Sequence, residues 1–126
     1  MPKVSRESAN DGGDYGAVLS QEGEVEGYTV SFVKFRQDID ATPLYKGLPD
    51  DRCQCPHWGY VTEGAVTFRY ADREEIFEAG DAFYTPPGHV PVKHAPGTEI
   101  VLFSPTEELA VTDAAMQRNM KAMQAV

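Results

Sequence analysis

The sequence predicts an all-β protein, a single jelly-roll barrel (a double-stranded β-helix) with a short C-terminal helix. From Gly59 to Pro105 it contains four or five β-rich runs, at a spacing of roughly ten residues that is typical of sandwiches and barrels. Turn-forming residues separate these runs. The turns are Glu63-Gly64, Ala71-Asp72, Ala79-Gly80-Asp81, Pro86-Pro87-Gly88 and Ala95-Pro96-Gly97. Helical spacing of apolar residues follows only after them, near the C-terminus.

The first clear strand is GYTVSFVKF, residues 27–35, where apolar residues alternate with a period of two. Such alternation is expected of a strand with one buried face. Residues 1–16 are instead rich in Ser, Asn, Asp and Gly without periodicity. They are predicted to be a poorly ordered N-terminal tail, and residues 17–126 are predicted to be the folded domain.

A helix is predicted over residues 105–124. Ser104 can cap it, Pro105 suits its first position, and Glu107 stands where a capping box has its Glu. Helical spacing brings several methionines onto one face of this segment. Packing on the barrel or on a partner subunit explains that stripe better than a ligand role does. The stripe comprises Met116, Met120 and Met123.

Length and charge limit the function classes. A chain of 126 residues is expected to form one domain with one core. The net charge of −9 opposes phosphate backbones and anionic membrane surfaces, so neither nucleic acid nor membrane is expected as a partner. No apolar segment resembles a signal region or a membrane span, which favours a cytoplasmic location.

Both cysteines and one of the three histidines lie within five residues, as Cys53, Cys55 and His57. Two cysteines separated by one residue have poor geometry for a disulfide, so thiols are expected in a reducing compartment. The cluster is open to three interpretations: a metal site, a redox pair, or small residues packed before a strand.

The segment Gly80-DAFYT-Pro86-Pro87-Gly88 matches the second motif of the cupin superfamily, which has Gly, five residues, Pro, one residue and Gly. Over about residues 51–104 the chain therefore resembles a cupin, a small β-barrel that commonly holds a metal ion. When the first cupin motif is aligned on Gly64, His57 occupies the position of the family's Glu ligand, and Cys53 occupies the position of one of its His ligands. The family's first His position falls on Asp51.

The second-motif histidine of cupins falls on Pro91 in this chain, but His89 lies two residues earlier. A shift of two residues keeps the same side of a strand, so His89 is still expected to face the interior. The resemblance and the donor chemistry together predict one divalent transition metal, zinc first, with iron or nickel as alternatives. The candidate ligands are Cys53, Cys55, His57 and His89.

Alternatives remain for these residues. Four ligands would make a closed structural zinc site, whereas two or three would leave a position for water or substrate. His57 can instead be a core histidine, and His89 a turn residue against Trp58 or Tyr84. His94 is expected to be exposed at a strand end.

A pocket for a small organic molecule is expected beside the metal. If His57 faces inward, Gly59 and Val61 share its face, and Gly59 leaves room for a ligand. Aromatic residues are the candidates for the pocket wall and for substrate binding, although each can also be core. They are Tyr28, Tyr45, Phe83 and Phe103.

Three functions fit these observations. The first is a metal-dependent enzyme acting on a small molecule, by resemblance an oxygenase, isomerase or lyase. The second is a non-catalytic ligand-binding or sensing barrel with a structural metal or none, and the third is a thiol-based redox sensor. A homodimer is expected, formed through an exposed β-edge near residues 28–35, as cupins commonly pair.

Overall fold

The computed structural model describes residues 3–124, which contain nine strands, two short 3-10 helices and one α-helix. The 3-10 helices are Thr42–Tyr45 and Pro49–Asp51, and the α-helix α1 is Thr106–Gln124. The strands are β1 (Asp11–Asp14), β2 (Val18–Val25), β3 (Tyr28–Phe35), β4 (His57–Glu63), β5 (Ala65–Arg69), β6 (Glu74–Glu78), β7 (Ala82–Thr85), β8 (Val90–His94) and β9 (Thr98–Pro105).

Two antiparallel sheets form the barrel. The larger has the strand order β1-β2-β3-β9-β4-β7, and the smaller has the order β6-β5-β8. Because non-consecutive strands β3, β9 and β4 are neighbours, the chain crosses between the sheets instead of forming a simple meander. The predicted all-β jelly-roll barrel with a C-terminal helix is confirmed. Among residues 3–124, no helix combines the length and apolarity that a membrane span requires.

The interior has two apolar clusters. One fills the space between the sheets and includes Val61, Phe68 and Phe83. The other lies beneath α1 and includes Tyr45 and both cysteines. A cavity of the barrel lies along α1, so the helix covers one side of the interior.

Strand β4 has the side-chain alternation that the sequence predicted. His57, Gly59 and Val61 are buried, whereas Trp58 and Tyr60 are exposed. Gly59 does not leave room for a ligand, however, because a Cβ atom there would collide with the Phe83 ring. The small residue at this position accommodates core packing.

Tyr28 lies on the outer face of strand β3, and the other face of the strand is buried. Its inward residues Ser31 and Phe35 are buried, while Tyr28 is more than half exposed. The strand pairs with β2 on one side and β9 on the other. The expected exposed β-edge near residues 28–35 is therefore wrong, because both hydrogen-bonding edges of β3 are already occupied within the chain.

Part of the predicted N-terminal tail is a strand. Residues 11–14 form β1, which pairs with residues 19–22 of β2. Arg36 donates two hydrogen bonds to the Asp14 carboxylate and holds the end of this strand. An edge strand made of Asp and Gly relies on backbone pairing, so it gives no apolar periodicity for the sequence to reveal.

Helix α1 begins one residue later than predicted, at Thr106. Ser104 and Pro105 still belong to β9, and Ser104 is fully buried, so it does not act as the expected helix cap. Asn119 anchors the helix by donating hydrogen bonds to the carbonyls of Leu44 and Lys46, at 2.7 and 2.9 Å.

The packing around Gly59 makes a prediction about stability. Gly59→Ala forces the added methyl group against Phe83 and is expected to destabilise the fold by about 1–3 kcal/mol, the usual effect of overpacking a core. Chemical denaturation measures the change. The double variant Gly59→Ala with Phe83→Leu should recover part of the loss, and an unchanged denaturation midpoint for Gly59→Ala would contradict the interpretation.

Candidate metal centre

Cys53 and His89 are brought together by their backbones. They form an isolated antiparallel bridge, in which the Cys53 N–H donates to the His89 carbonyl at 2.9 Å. The Gly88 N–H donates back to the Cys53 carbonyl at 2.8 Å. Gly88 has a φ of +99°, a conformation that glycine adopts at little cost, so the PPG turn can present His89 to the loop that carries Cys53.

His57 completes the group from the first position of β4. The ligand atoms of Cys53, His57 and His89 all lie within 4.8 Å of one another. Cys53 Sγ is 3.8 Å from His57 Nε2, and the two imidazole rings are 4.9 Å apart. One thiol and two imidazoles therefore converge on one point from three separate segments of the chain.

Hydrogen bonds behind the two histidines orient their rings. His89 Nδ1 is 2.7 Å from the Pro86 carbonyl, which can only accept, so Nδ1 carries the proton and Nε2 carries the lone pair. Among residues 3–124, no atom forms a hydrogen bond with this buried Nε2. His57 Nδ1 is 2.7 Å from Ser104 Oγ, and donation to that oxygen leaves the Nε2 lone pair facing Cys53.

The electrostatics keep both histidines neutral. Burial, followed by the influence of His89, lowers the pKa of His57 to about 3. Burial also lowers the pKa of His89. Both imidazoles are thus uncharged at neutral pH, the form in which histidine binds metal.

The Cys53 thiol is buried and needs a cation to ionise. Burial raises its pKa, and the negative charge of Asp113 raises it further, while a contact of 3.3 Å with the Thr112 hydroxyl acts in the opposite direction. A bound divalent cation favours the thiolate strongly. The residue is therefore suited to binding a metal and poorly suited to acting as a free nucleophile.

Cys55 lies apart from this group. Its Sγ contacts the carbonyls of Pro56 and Pro105, at 3.4 and 4.0 Å. Burial, with the charge of Cys53 next, raises its pKa to about 12. The structure does not bring Cys55 to the other three candidates, because the loop before β4 turns its side chain toward the end of β9.

A cavity of about 660 Å³ opens beside the three ligand candidates. Cys53, His57 and His89 line it, and so does the buried Tyr45. Its other walls come from β2, β3, β9 and the inner face of α1, including Met116, Met120 and Met123. The methionine stripe thus packs over the barrel opening, where its flexible side chains form part of the cavity wall.

The remaining aromatic candidates lie elsewhere. Tyr28 and Phe103 are exposed on the outer face of the larger sheet. Phe83 is buried, but it stacks on Phe77 in the cluster between the sheets and is not among the residues that line the cavity. The cavity wall therefore differs from the expected one, because strand parity turns Tyr28 and Phe103 outward.

The other two sequence expectations for histidines also have clear outcomes. His89 faces the interior, near Phe68 and Tyr70, whereas Trp58 and Tyr84 pack on each other outside. His94 is buried and stacked on Phe35, with ring centres 3.7 Å apart, so its expected exposure is wrong. Its backbone N–H donates to the Asp38 carboxylate at 3.0 Å.

Sequence reasoning missed several residues of the site. Ser104 was assigned to a helix cap, and Thr112 and Asp113 were read only as parts of a helix. Glu22 was not singled out, although it shares a side of β2 with Val18 and Ser20 and lines the cavity. A carboxylate on an inward strand face was the signal that could have identified it.

The donor set fits a transition metal. One sulfur and two nitrogens suit zinc, iron or nickel, and three protein ligands leave a position toward the cavity. The unpartnered His89 Nε2 provides a second reason, because a buried acceptor without a partner is unfavourable until something binds it. These features define a small β-barrel with a buried Cys/His/His group beside an apolar cavity.

The comparisons with known proteins agree with this description. A family model described as a cupin domain matches residues 53–102. Over these residues the chain is similar to the cupin domain, and its fold is shared with solved cupin structures. A comparison with curated proteins found no match.

Several solved structures share the fold. A protein of unknown function from Rhizobium leguminosarum has a TM-score of 0.59 at 15% identity, over 82% of this chain and 95% of that one. KdgF from Halomonas has a TM-score of 0.51 at 22% identity, over 76% and 88%. An RmlC-like cupin from Shewanella frigidimarina has a TM-score of 0.50 at 20% identity, over 74% and 81%. At these identities the likeness concerns the fold alone.

Burial of both thiols predicts slow modification. Because burial raises the pKa of both cysteines, little thiolate is available near pH 8, and a disulfide reagent such as DTNB should react far more slowly with native than with unfolded protein. Counting released thiolate over time measures the rates. Rapid native reaction of both cysteines would contradict this account and would favour the redox-sensor interpretation.

Proposed function

We propose that this protein binds one divalent transition metal through Cys53, His57 and His89 and acts on a small organic molecule in the adjoining cavity. Zinc is the first candidate, and iron or nickel are the alternatives. The observation that carries the proposal is the convergence of the three ligand atoms within 4.8 Å of one another in a buried site. The cavity beside them gives the metal a route to a ligand.

An open coordination position favours an enzyme or ligand-binding role over a purely structural one. The closed four-ligand site would need Cys55, whose thiol points toward Pro56 and Pro105. When bound, a metal of this kind supplies Lewis acidity toward a substrate oxygen or a bound water. The alternative remains a non-catalytic barrel that holds a small ligand beside a structural metal.

The chain's own residues have defined tasks in such a site. Ser104 and the Pro86 carbonyl hold the two imidazoles so that their Nε2 atoms point to the same place. Tyr45, Leu109 and Met116 line the cavity with apolar surface, which excludes water from a bound molecule. This arrangement binds and orients a substrate next to the metal position.

Metal analysis of ligand variants tests the metal site. Untagged wild-type protein, grown with zinc, iron and nickel, is expected to contain about one metal ion per chain. His57→Ala and His89→Ala should each lose most of it, and Cys53→Ser should weaken binding, because each removes one of only three protein donors. Elemental analysis of dialysed protein gives the metal-to-protein ratio.

Cys55→Ser is the matched control. It exchanges a buried thiol two residues away from Cys53 and should leave the metal content unchanged, since Cys55 Sγ faces backbone carbonyls. Equal loss in Cys53→Ser and Cys55→Ser would contradict the three-ligand assignment. A wild type without metal under all three supplements would overturn the proposed metal site.

We further propose a homodimer, formed through the outer face of the larger sheet. Trp58 is 63% exposed and lies in register with Tyr84 on one side and Phe103 on the other. Tyr60 adds to this exposed aromatic patch. A chain with a net charge of −9 repels its own copies, and an uncharged patch is where two copies can approach most easily. A two-fold axis would place the same patch on both sides.

Light scattering tests the dimer. Wild type is expected to have twice the chain mass at tens of micromolar, roughly the range in which modest interfaces assemble. Trp58→Ser should shift the protein toward monomer. Ile76→Ser, which removes an equally exposed apolar side chain from the smaller sheet, should not. A monomeric wild type would overturn the dimer proposal.

The remaining expectations on partners and location stay proposals. The acidic chain favours neither nucleic acid nor anionic membranes as partners. Both cysteines are free thiols, which suits a reducing compartment such as the cytoplasm.

A further inference from the structure

The charged side chains that line the cavity are all acidic. Of the described residues that line it, Glu22, Asp40 and Asp113 carry carboxylates, and none is Lys or Arg. An anionic ligand would therefore meet no basic side chain in the cavity. Asp40 is already engaged, because the Thr42 backbone N–H and hydroxyl both donate to it, so Glu22 and Asp113 remain available.

Glu22 is held in place on the inner face of β2. The hydroxyls of Ser20 and Ser31 both donate to its Oε2, each at 3.2 Å. These two donors both bind one carboxylate oxygen and fix the position of the side chain. Glu22 is thereby presented as a fixed negative group among cavity residues that are otherwise mostly apolar.

Asp113 lines the same cavity and belongs to α1. Burial, followed by the negative charge of Glu22, raises the pKa of its carboxyl to about 6. Within residues 3–124, no hydrogen-bond donor or cation offsets these two effects. Two carboxylates that face one cavity in this way are stabilised by a positive group between them.

The ligand candidates for the metal are close to this pair. Thr112, the neighbour of Asp113 on α1, contacts Cys53 Sγ at 3.3 Å. His89 is 1% exposed, lines the same cavity and has an unpartnered Nε2. A molecule that spans the cavity can therefore reach from the two carboxylates to the group of Cys53, His57 and His89.

We infer that the cavity binds an apolar organic amine, whose ammonium group lies between Glu22 and Asp113 and whose apolar part extends toward Cys53, His57 and His89. The inference rests on the proposed function, because it names the class of molecule that would occupy the same cavity. A hard metal cation is a poorer occupant of the carboxylate pair, since it requires six or more oxygen ligands. An amine matches both the carboxylates and the apolar walls.

Calorimetric titration with three matched probes tests the inference. 2-Phenylethylamine, 2-phenylethanol and phenylacetate share a phenyl group and differ in charge. At pH 7 the amine is expected to bind at least about tenfold more tightly than the alcohol, the effect of a charge-assisted contact in a shielded site. Phenylacetate should bind more weakly than the alcohol.

Carboxylate-to-amide variants locate the contact. Glu22→Gln and Asp113→Asn should each lower the affinity for 2-phenylethylamine by about tenfold and leave 2-phenylethanol binding unchanged. Unchanged alcohol binding also shows that the variant is folded. Glu24→Gln, an exposed carboxylate on the same strand, is the control and should have no effect. If Glu22→Gln fails to fold, the affinity of Asp113→Asn for 2-phenylethylamine alone tests the carboxylate contact.

The outcomes separate this inference from the metal proposal. Equal affinity for amine and alcohol, tighter binding of phenylacetate, or amine binding that neither variant changes would overturn the inference. Metal content is measured on the same samples. Full metal occupancy with no amine preference would refute the amine site alone, whereas carboxylate-dependent amine binding without metal would refute the metal site alone.

Discussion

The backbone pairing of Cys53 with His89 is the constraint on which the rest of the site depends. Cys53 comes from the loop before β4 in the larger sheet, and His89 precedes β8 in the smaller sheet. Their hydrogen bonds connect the two sheets at one end of the barrel. Because His57 begins β4 only four residues after Cys53, the same pairing brings all three donor atoms together.

Burial then determines the chemical state of these groups. The interior lowers the pKa of both histidines and raises that of the cysteine, so the uncharged forms are favoured at neutral pH. A buried nitrogen without a partner typically costs about 1–3 kcal/mol. His89 Nε2 is such an atom, and a bound metal would remove that cost. The three uncharged donors are thus already held close together, with the His57 and His89 rings oriented by hydrogen bonds.

Helix α1 forms one wall of the cavity at the barrel opening. Asn119 fixes the helix to Leu44 and Lys46, and the inner face of α1 carries both apolar and polar side chains. Thr112 contacts Cys53, while Asp113 lines the same cavity as Glu22. The helix therefore contributes to the metal end and to the carboxylate end of the same space.

The sequence by itself determined the jelly-roll class, the C-terminal helix and the inward side of β4, because turn spacing and side-chain alternation are local properties of the chain. The two-residue parity argument also predicted that His89 faces inward. Only the tertiary structure separated Cys55 from Cys53, since the loop between them follows no regular period. The tertiary structure also determined that Ser31 of β3 points inward and Tyr28 outward. The inner face of β3 lines a cavity that contains polar groups, so it need not be the more apolar face of the strand. Hydrophobicity alone therefore could not predict which face is buried.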